Sequence, residues 1–315
     1  MTAPPGRAVG SMMLPTVLLL CSGISYGSMF SANKKAVEAG LPVFAYAFWQ
    51  ALFAAVILLG ASLAVGRPPR FDWPNLKLFI LVALTGLVGS LLVFASVADK
   101  VPPSVLTLIV ALIPAVTYLM SYLLRMERLR WLSVAGVTLG FGGILLVVLP
   151  GGSLPEPEAA LWVVFALLVP VVASINNVFA ERFAVPNVST LALAGGMMTV
   201  ASVFLFAVML ARDGLVLVTD AGEGGYLAVL WATAAQSITY VCFFEIVRRT
   251  GALFFALINY VVVAAGLFWA NLLYGDRLSP WVWGAVAVIV ISLVLMNAGT
   301  ARAVRDRQAR ASLGS

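Results

Sequence analysis

Two short stretches decide how this chain is organised: Leu123-Leu124-Arg125-Met126-Glu127-Arg128-Leu129 and Leu272-Leu273-Tyr274-Gly275-Asp276-Arg277-Leu278. Each closes a long apolar run with an acidic residue, an arginine and a leucine, and each leads into a further run containing Trp and Gly. They stand 149 residues apart, and at the same offset Phe94 meets Phe243, Leu108-Ile109 meets Leu257-Ile258, and Ser25 meets Ser174. Similarity at a fixed offset is the mark of a duplicated architecture.

Working outward from these stretches, ten apolar segments emerge: Met13–Ala32, Pro42–Val65, Leu76–Val97, Ser104–Leu124, Trp131–Leu149, Ala160–Ala180, Leu191–Ala211, Tyr226–Val247, Ala252–Leu273 and Trp281–Ala298. Each is near the ~20 residues that a helix needs to cross a bilayer core of ~30 Å. Helix stops separate them, among them Arg67-Pro68-Pro69-Arg70, Pro150-Gly151-Gly152 and Gly222-Glu223-Gly224-Gly225. Hydrocarbon leaves no partner for free backbone groups, so helices must do the crossing, and the two-residue alternation of a β-barrel is lacking. Five spans per copy is an odd number, so the second copy enters the membrane from the opposite side. The expected fold is therefore all-α and integral to the membrane: ten transmembrane helices as two inverted five-helix repeats, residues 11–149 and 160–298, followed by a basic cytoplasmic tail, 299–315.

Composition agrees. Of 315 residues, 62% are hydrophobic and 10% charged, against about a quarter charged in a soluble domain. There is no His, and the two Cys lie in apolar runs, which excludes His-based catalysis, a Cys/His zinc site and a disulfide scaffold. The net charge of +6 is a bias between membrane faces and no sign of nucleic acid. With the N-terminus in the cytoplasm, fourteen of the 19 Lys and Arg fall on the inner side and five on the outer, so both termini are expected to be cytoplasmic. The first apolar run is expected to be an uncleaved helix rather than a signal peptide.

At this point the chain resembles the EamA branch of the drug/metabolite transporter superfamily. The matching stretches are Tyr26-Gly27-Ser28, Asp99-Lys100-Val101-Pro102-Pro103-Ser104, Leu112-Ile113-Pro114, Glu127-Arg128-Leu129 and Gly275-Asp276-Arg277-Leu278-Ser279. The chain departs from the family pattern in carrying Trp49-Gln50 where many members have Arg in the second span, Val263 where the first copy has Pro114, and Asp276 in the final motif. The resemblance implies a secondary transporter of small metabolites, often exporting amino acids, in the cell's inner membrane. Its cavity would be walled mainly by spans one, three, four, six, eight and nine.

Polar residues crowd those spans. Ser22, Ser25, Tyr26 and Met29 share one face of span one; Asn176 and Asn177 follow Ser174 in span six; Thr233, Gln236 and Tyr240 form a stripe in span eight; and span nine carries Asn259-Tyr260. Span four adds Thr107, Thr117, Tyr118 and Ser121. Two readings stand for each: lining a solute pathway, or joining helices to one another. The candidate substrate-binding set is Ser22, Ser25, Tyr26, Asn176, Asn177, Gln236, Tyr240, Asn259 and Tyr260. Pro114 and Pro170 are expected to bend their helices. The spacing Gly136-xxx-Gly140 would let helices approach closely. Trp residues near span ends form an interface belt, while Trp49 and Trp269 sit deeper.

No Asp, Glu, Lys or Arg lies in the middle third of any span. Such a charge is costly and is kept where function needs it. Phosphate esters and organic cations, which need a fixed charge in the pathway, are therefore disfavoured, leaving a neutral or zwitterionic solute. Glu245 lies at an inner end beside Arg248 and Arg249, and is expected to be an interfacial ion pair rather than a cavity acid. No nucleophile–base spacing is visible, so no enzyme activity is expected, and nothing calls for a cofactor or metal. The expected partners are a small-molecule substrate and the bilayer, with the chain a monomer or homodimer. The rival reading on the same fold is a lipid-linked carrier or flippase.

Overall fold

The computed structural model describes residues 13–97, 101, 106, 109–110, 112–125, parts of 131–142, 159–183, 188–250, 255, 258–274 and a few positions between 284 and 295. The fifth and tenth spans, the two acidic-Arg-Leu motifs, most of 98–105 and the tail lie outside the described residues, apart from scattered positions.

The described residues are all-helical or connecting. Their helices are α1 (Met13–Glu38), α2 (Val43–Ala64), α3 (Trp73–Val82), a π-helical turn (Ala83–Val88), α4 (Gly89–Val97), α5 (Ile113–Leu123), α6 (Ala159–Ala166), α7 (Leu168–Arg182), α8 (Thr190–Arg212), α9 (Gly222–Thr250) and α10 (Ile258–Tyr274). Six helical stretches among them are long and apolar enough to cross a bilayer: Met13–Glu38, Val43–Ala64, Trp73–Val93, Leu161–Ala180, Thr190–Arg212 and Val218–Arg249.

Local chemistry sets their ends. α1 runs past the expected Ala32 through Lys34 and Lys35, because no breaker intervenes before Gly40, whose φ of +87° ends the helix while Leu41 N–H returns to Ala36 O at 3.1 Å. The third span begins earlier than its apolar run. The Asp72 side chain caps the Asn75 N–H at 3.2 Å, and Pro74 occupies the first turn. Ser189 caps α8 in the same way through Ala192 N–H. Span six is interrupted at Leu167, three residues before Pro170, which cannot donate to the Ala166 carbonyl. In span four Leu112 is a turn, and Pro114 sits in the first turn of α5.

The third span holds a feature that apolar periodicity does not announce. From Ala83 to Val88 the helix widens to a π-turn, and Gly89 N–H reaches back five residues to the Leu84 carbonyl. Thr85 adds a side-chain bond to Leu81 O at 2.6 Å. Single π-turns inside α-helices are frequent at functional sites.

Packing pairs the first half of the chain with the second. α2 lies along α8, the Phe48 and Phe206 rings 5.2 Å apart and Leu58–Leu59 against Gly195, so the two helices run antiparallel. Their seam combines alanines of α2 (Ala45, Ala51, Ala54, Ala55) with Met197, Met198 and Met209 of α8, all buried. α1 packs antiparallel to α9, where Ser22 meets Thr239 and Ser28 meets Trp231, and parallel to α10. On that second face Gly23 and Gly27 let α10 approach closely. A Cβ on Gly23 would lie 2.5 Å from Val261, and one on Gly27 would lie 2.8 Å from both Ala265 Cβ and the Gly266 nitrogen. At the far end the Lys34 ammonium sits 3.7 Å over the Tyr274 ring, whose hydroxyl donates to Ser31 O at 3.1 Å.

The same arrangement recurs with the halves exchanged. α7 packs antiparallel to the third span, Asn176 facing Gly86 and Val172 facing Gly89. It runs parallel to α5, whose Ile113 and Thr117 meet Ser174 and Asn177. Thus α1 stands to α9 and α10 as α7 stands to the third span and α5.

Candidate functional site

Buried polar side chains recur on most of these helices and form a belt of bonds between them, with others, such as Ser62 and Asn75, at helix ends. All the buried polar residues among those described are uncharged: Ser, Thr, Asn and Gln. Within the belt the side chains fall into distinct arrangements.

The first arrangement is a chain of hydroxyls and an amide between α5 and α7. Asn177 Nδ2 donates to Thr117 Oγ1 at 3.4 Å, Thr117 Oγ1 to Ser174 Oγ at 3.0 Å, and Ser174 Oγ to Ile113 O at 3.2 Å. The last acceptor is the carbonyl of the first residue of α5. Asn177 and Thr117 remain half-buried. A second arrangement joins α2 to α9, where the buried Gln50 Nε2 donates to the buried Gln236 Oε1 at 3.1 Å. A third joins α1 to α9, with the fully buried Ser22 hydroxyl donating to Thr239 O at 3.5 Å. Bonds of this kind between membrane helices contribute about 0.6 kcal/mol each on average.

Asn176 behaves differently. It is 7% exposed, yet its carboxamide oxygen has no hydrogen-bond partner among the described residues. It points at the π-turn, where a Cβ built on Gly86 would lie 2.8 Å from Asn176 Oδ1 and 3.2 Å from the Tyr240 hydroxyl. Three elements, α7, the third span and α9, thus bring an amide, a phenol and a bare backbone to one place. A buried acceptor left unpaired costs about 1–3 kcal/mol, so it marks a place where a further donor belongs.

Tyr26 stands at the junction of the halves. It packs on one side against Leu19, Cys242, Ile246, Ile258 and Val262, and on the other against Val110, Ile113 and Val169, with Phe30 edge-on at 5.9 Å. Ser25 beside it is half-buried. Asn259 is buried on α10, and the Tyr260 side chain lies outside the described residues.

Of the residues singled out in the sequence, the structure brings Asn176 and Tyr240 together, sets Asn177 and Ser22 in helix-joining bonds, and pairs Gln236 with a residue outside the set. That residue, Gln50, was visible only as an amide where the family pattern has Arg. Gly86 was marked only by the Thr85-Gly86 pair, with a similar Gly89-Ser90 pair three residues on. The deep Trp49 gains a reason: its Nε1 donates to Val216 O at 2.9 Å, fastening the loop after α8. Trp269 packs edge-on to Trp231, which bonds Ser28 Oγ at 3.0 Å. At the end of α9, Glu245 is paired with Arg248 at 2.7 Å and with Arg249.

Comparison with known proteins adds a family. The model of the EamA-like transporter family matches residues 13–149 and 160–298. Over 283 residues, 88% of each chain, this sequence is 26% identical to the uncharacterized inner membrane transporter YedA of Escherichia coli K12. It is 25% identical over 265 residues, 78% of each chain, to an uncharacterized transporter of Synechocystis. A WAT1-related protein of Arabidopsis thaliana shares 29% identity over 140 residues, 42% of this chain and 37% of that one. A solved structure covering 90% of this chain and 98% of its own superposes with a TM-score of 0.68 at 21% identity, a likeness of fold.

Proposed function

The chain belongs to the EamA-like transporter family, a membrane transporter and not an enzyme, and on that premise we propose that it carries small neutral or zwitterionic metabolites, such as amino acids, out of the cell across the inner membrane. The observation that carries this reading is the uncharged belt. The buried polar residues are hydroxyls and amides, without a guanidinium, ammonium or carboxylate among those described. Such a site offers hydrogen bonds in both directions to a zwitterion and no fixed partner for a net charge, so solutes with no net charge are favoured over phosphate esters and organic cations.

The architecture behind this is two five-helix halves, residues 11–149 and 160–298, of opposite orientation. The antiparallel course of α2 and α8, and the recurrence of the α1 packing around α7, support it. The charge asymmetry supports a cytoplasmic position for both termini, and the likeness to an inner membrane transporter supports that membrane. The exchanged packing supports alternating access: α1 with α9 and α10 forms one wall, α7 with the third span and α5 the other, and rocking of one against the other exposes the belt to each side in turn. In this mechanism Asn176, Tyr240 and Tyr26 hold the solute. Gln236, Asn177, Ser25, Asn259 and Tyr260 complete the lining, and Ser22 ties the wall behind them.

The test is solute counterflow in proteoliposomes over a panel of neutral amino acids, nucleosides and sugars, with glucose 6-phosphate and tetraphenylphosphonium as charged controls. Saturable exchange of a neutral amino acid, and none of the two controls, is expected. Exchange of either control in place of the neutral solutes, or movement only of a polyprenyl-linked lipid, overturns the reading.

A further inference from the structure

The third span widens into its π-turn where it packs against α7, and Gly86 stands there. Its neighbours are polar and come from different helices: the Asn176 amide from α7 and the Tyr240 hydroxyl from α9. A Cβ on Gly86 would meet Asn176 Oδ1 at 2.8 Å and its Cγ at 3.1 Å, closer than real Cβ atoms stand, and the Tyr240 hydroxyl at 3.2 Å. Gly86 itself is only half-buried, so the place is not sealed by packing. The amide oxygen that presses on it is more than nine-tenths buried and has no partner among the described residues.

We propose that Gly86 is a positioning residue of the solute site: its missing side chain lets the Asn176 carboxamide and the Tyr240 hydroxyl converge on the backbone of the π-turn, where together they grip an N–H or O–H donor of the solute. This rests on the reading of the belt as a solute site. The π-turn matters because single π-turns of this kind are frequent at functional sites. A methyl group here crowds the Asn176 amide most, at 2.8 Å, and the Tyr240 hydroxyl next, at 3.2 Å. At the 149-residue offset Asn176 meets Gly27 of the first half, which carries no side chain. The amide is therefore present on one wall only, and the site is asymmetric between the two halves.

The test uses the full chain in proteoliposomes, with counterflow of glycine, alanine, serine, threonine and leucine as probes, and compares wild type, Gly86→Ala, Asn176→Ala, the double variant and Gly60→Ala. Gly60 faces open space on α2 and serves as the control for adding a methyl group to a membrane helix. Gly86→Ala is expected to raise KM about tenfold for the accepted amino acid while kcat changes less than about threefold, and Asn176→Ala to do the same. The double variant, freed of the closest contact, is expected to match Asn176→Ala alone. A Gly86→Ala protein with wild-type KM overturns the proposal. A double variant whose KM shows the product of the two single effects overturns it as well, because the glycine then acts independently of the amide. If Gly86→Ala does not accumulate, the comparison of the double variant with Asn176→Ala decides alone. Wild type that exchanges none of the probes overturns the amino-acid reading and this proposal together, whereas an active wild type with an indifferent Gly86→Ala removes only the latter.

Discussion

Gln236 and Asn176 carry the same carboxamide group and differ in what faces it. Gln236 accepts from Gln50, 186 residues away in sequence, and Asn176 faces a glycine. Gln236→Leu is expected to lower stability by about 1–3 kcal/mol, because Gln50 Nε2 is then buried without an acceptor. Adding Gln50→Leu should restore the thermal midpoint in detergent, while transport stays impaired if Gln236 also lines the pathway. A double variant with wild-type uptake makes the pair a helix joint alone. Glu245 yields a second expectation. Held by Arg248 and Arg249 at a helix end with those arginines largely exposed, it contributes about 0–1 kcal/mol. Glu245→Gln should transport at the wild-type rate with an unchanged pH profile, and a flattened profile would make it a coupling acid. Residue types and spans were readable from sequence, since polar atoms in hydrocarbon are conspicuous. Which amide pairs with which was not, because the partner arrives from another helix at no fixed spacing.

At the scale of elements, apolar run length located the six spans found among the described residues, because hydrocarbon thickness sets it. Their ends moved by a few residues wherever a cap or a positive φ decided, as at Asp72 and Gly40. The π-turn escaped sequence reading because one extra residue in an apolar helix hardly alters the pattern of hydrophobic positions. The close approach of α1 and α10 is made by Gly23-xxx-Gly27, a spacing of small residues present in the sequence beside the polar face. By contrast, Gly142, beyond the Gly136-xxx-Gly140 spacing, faces open space. Gly27→Val is therefore expected to cost about 1–3 kcal/mol through overpacking against α10, visible as a lower thermal midpoint and poor accumulation. Gly60→Val should leave both unchanged.

Across the whole molecule, the exchange of partners between halves has a direct test. α1 finds its main neighbours in α9 and α10, and α7 finds its own in the third span and α5. A chain cut between residues 150 and 160 is expected to accumulate only when both fragments are produced together, and an affinity tag on either should recover the other. Independent accumulation of one fragment would show that a half can satisfy its own surfaces. The duplication behind this was legible in the 149-residue offset, because repeated motifs survive divergence. The cross-half pairing was not, since offset similarity says which helices are alike and nothing about which ones touch.

The placement of α1 also bears on how the protein is made. Ser22 of α1 is synthesised 217 residues ahead of its partner Thr239, so until α9 and α10 emerge the Gly23–Gly27 groove and the serine face of α1 lack the helices they pack against. Assembly must therefore wait on the late helices, and a truncated or stalled product would present an unclaimed helix surface in the bilayer, a ready signal for membrane quality control.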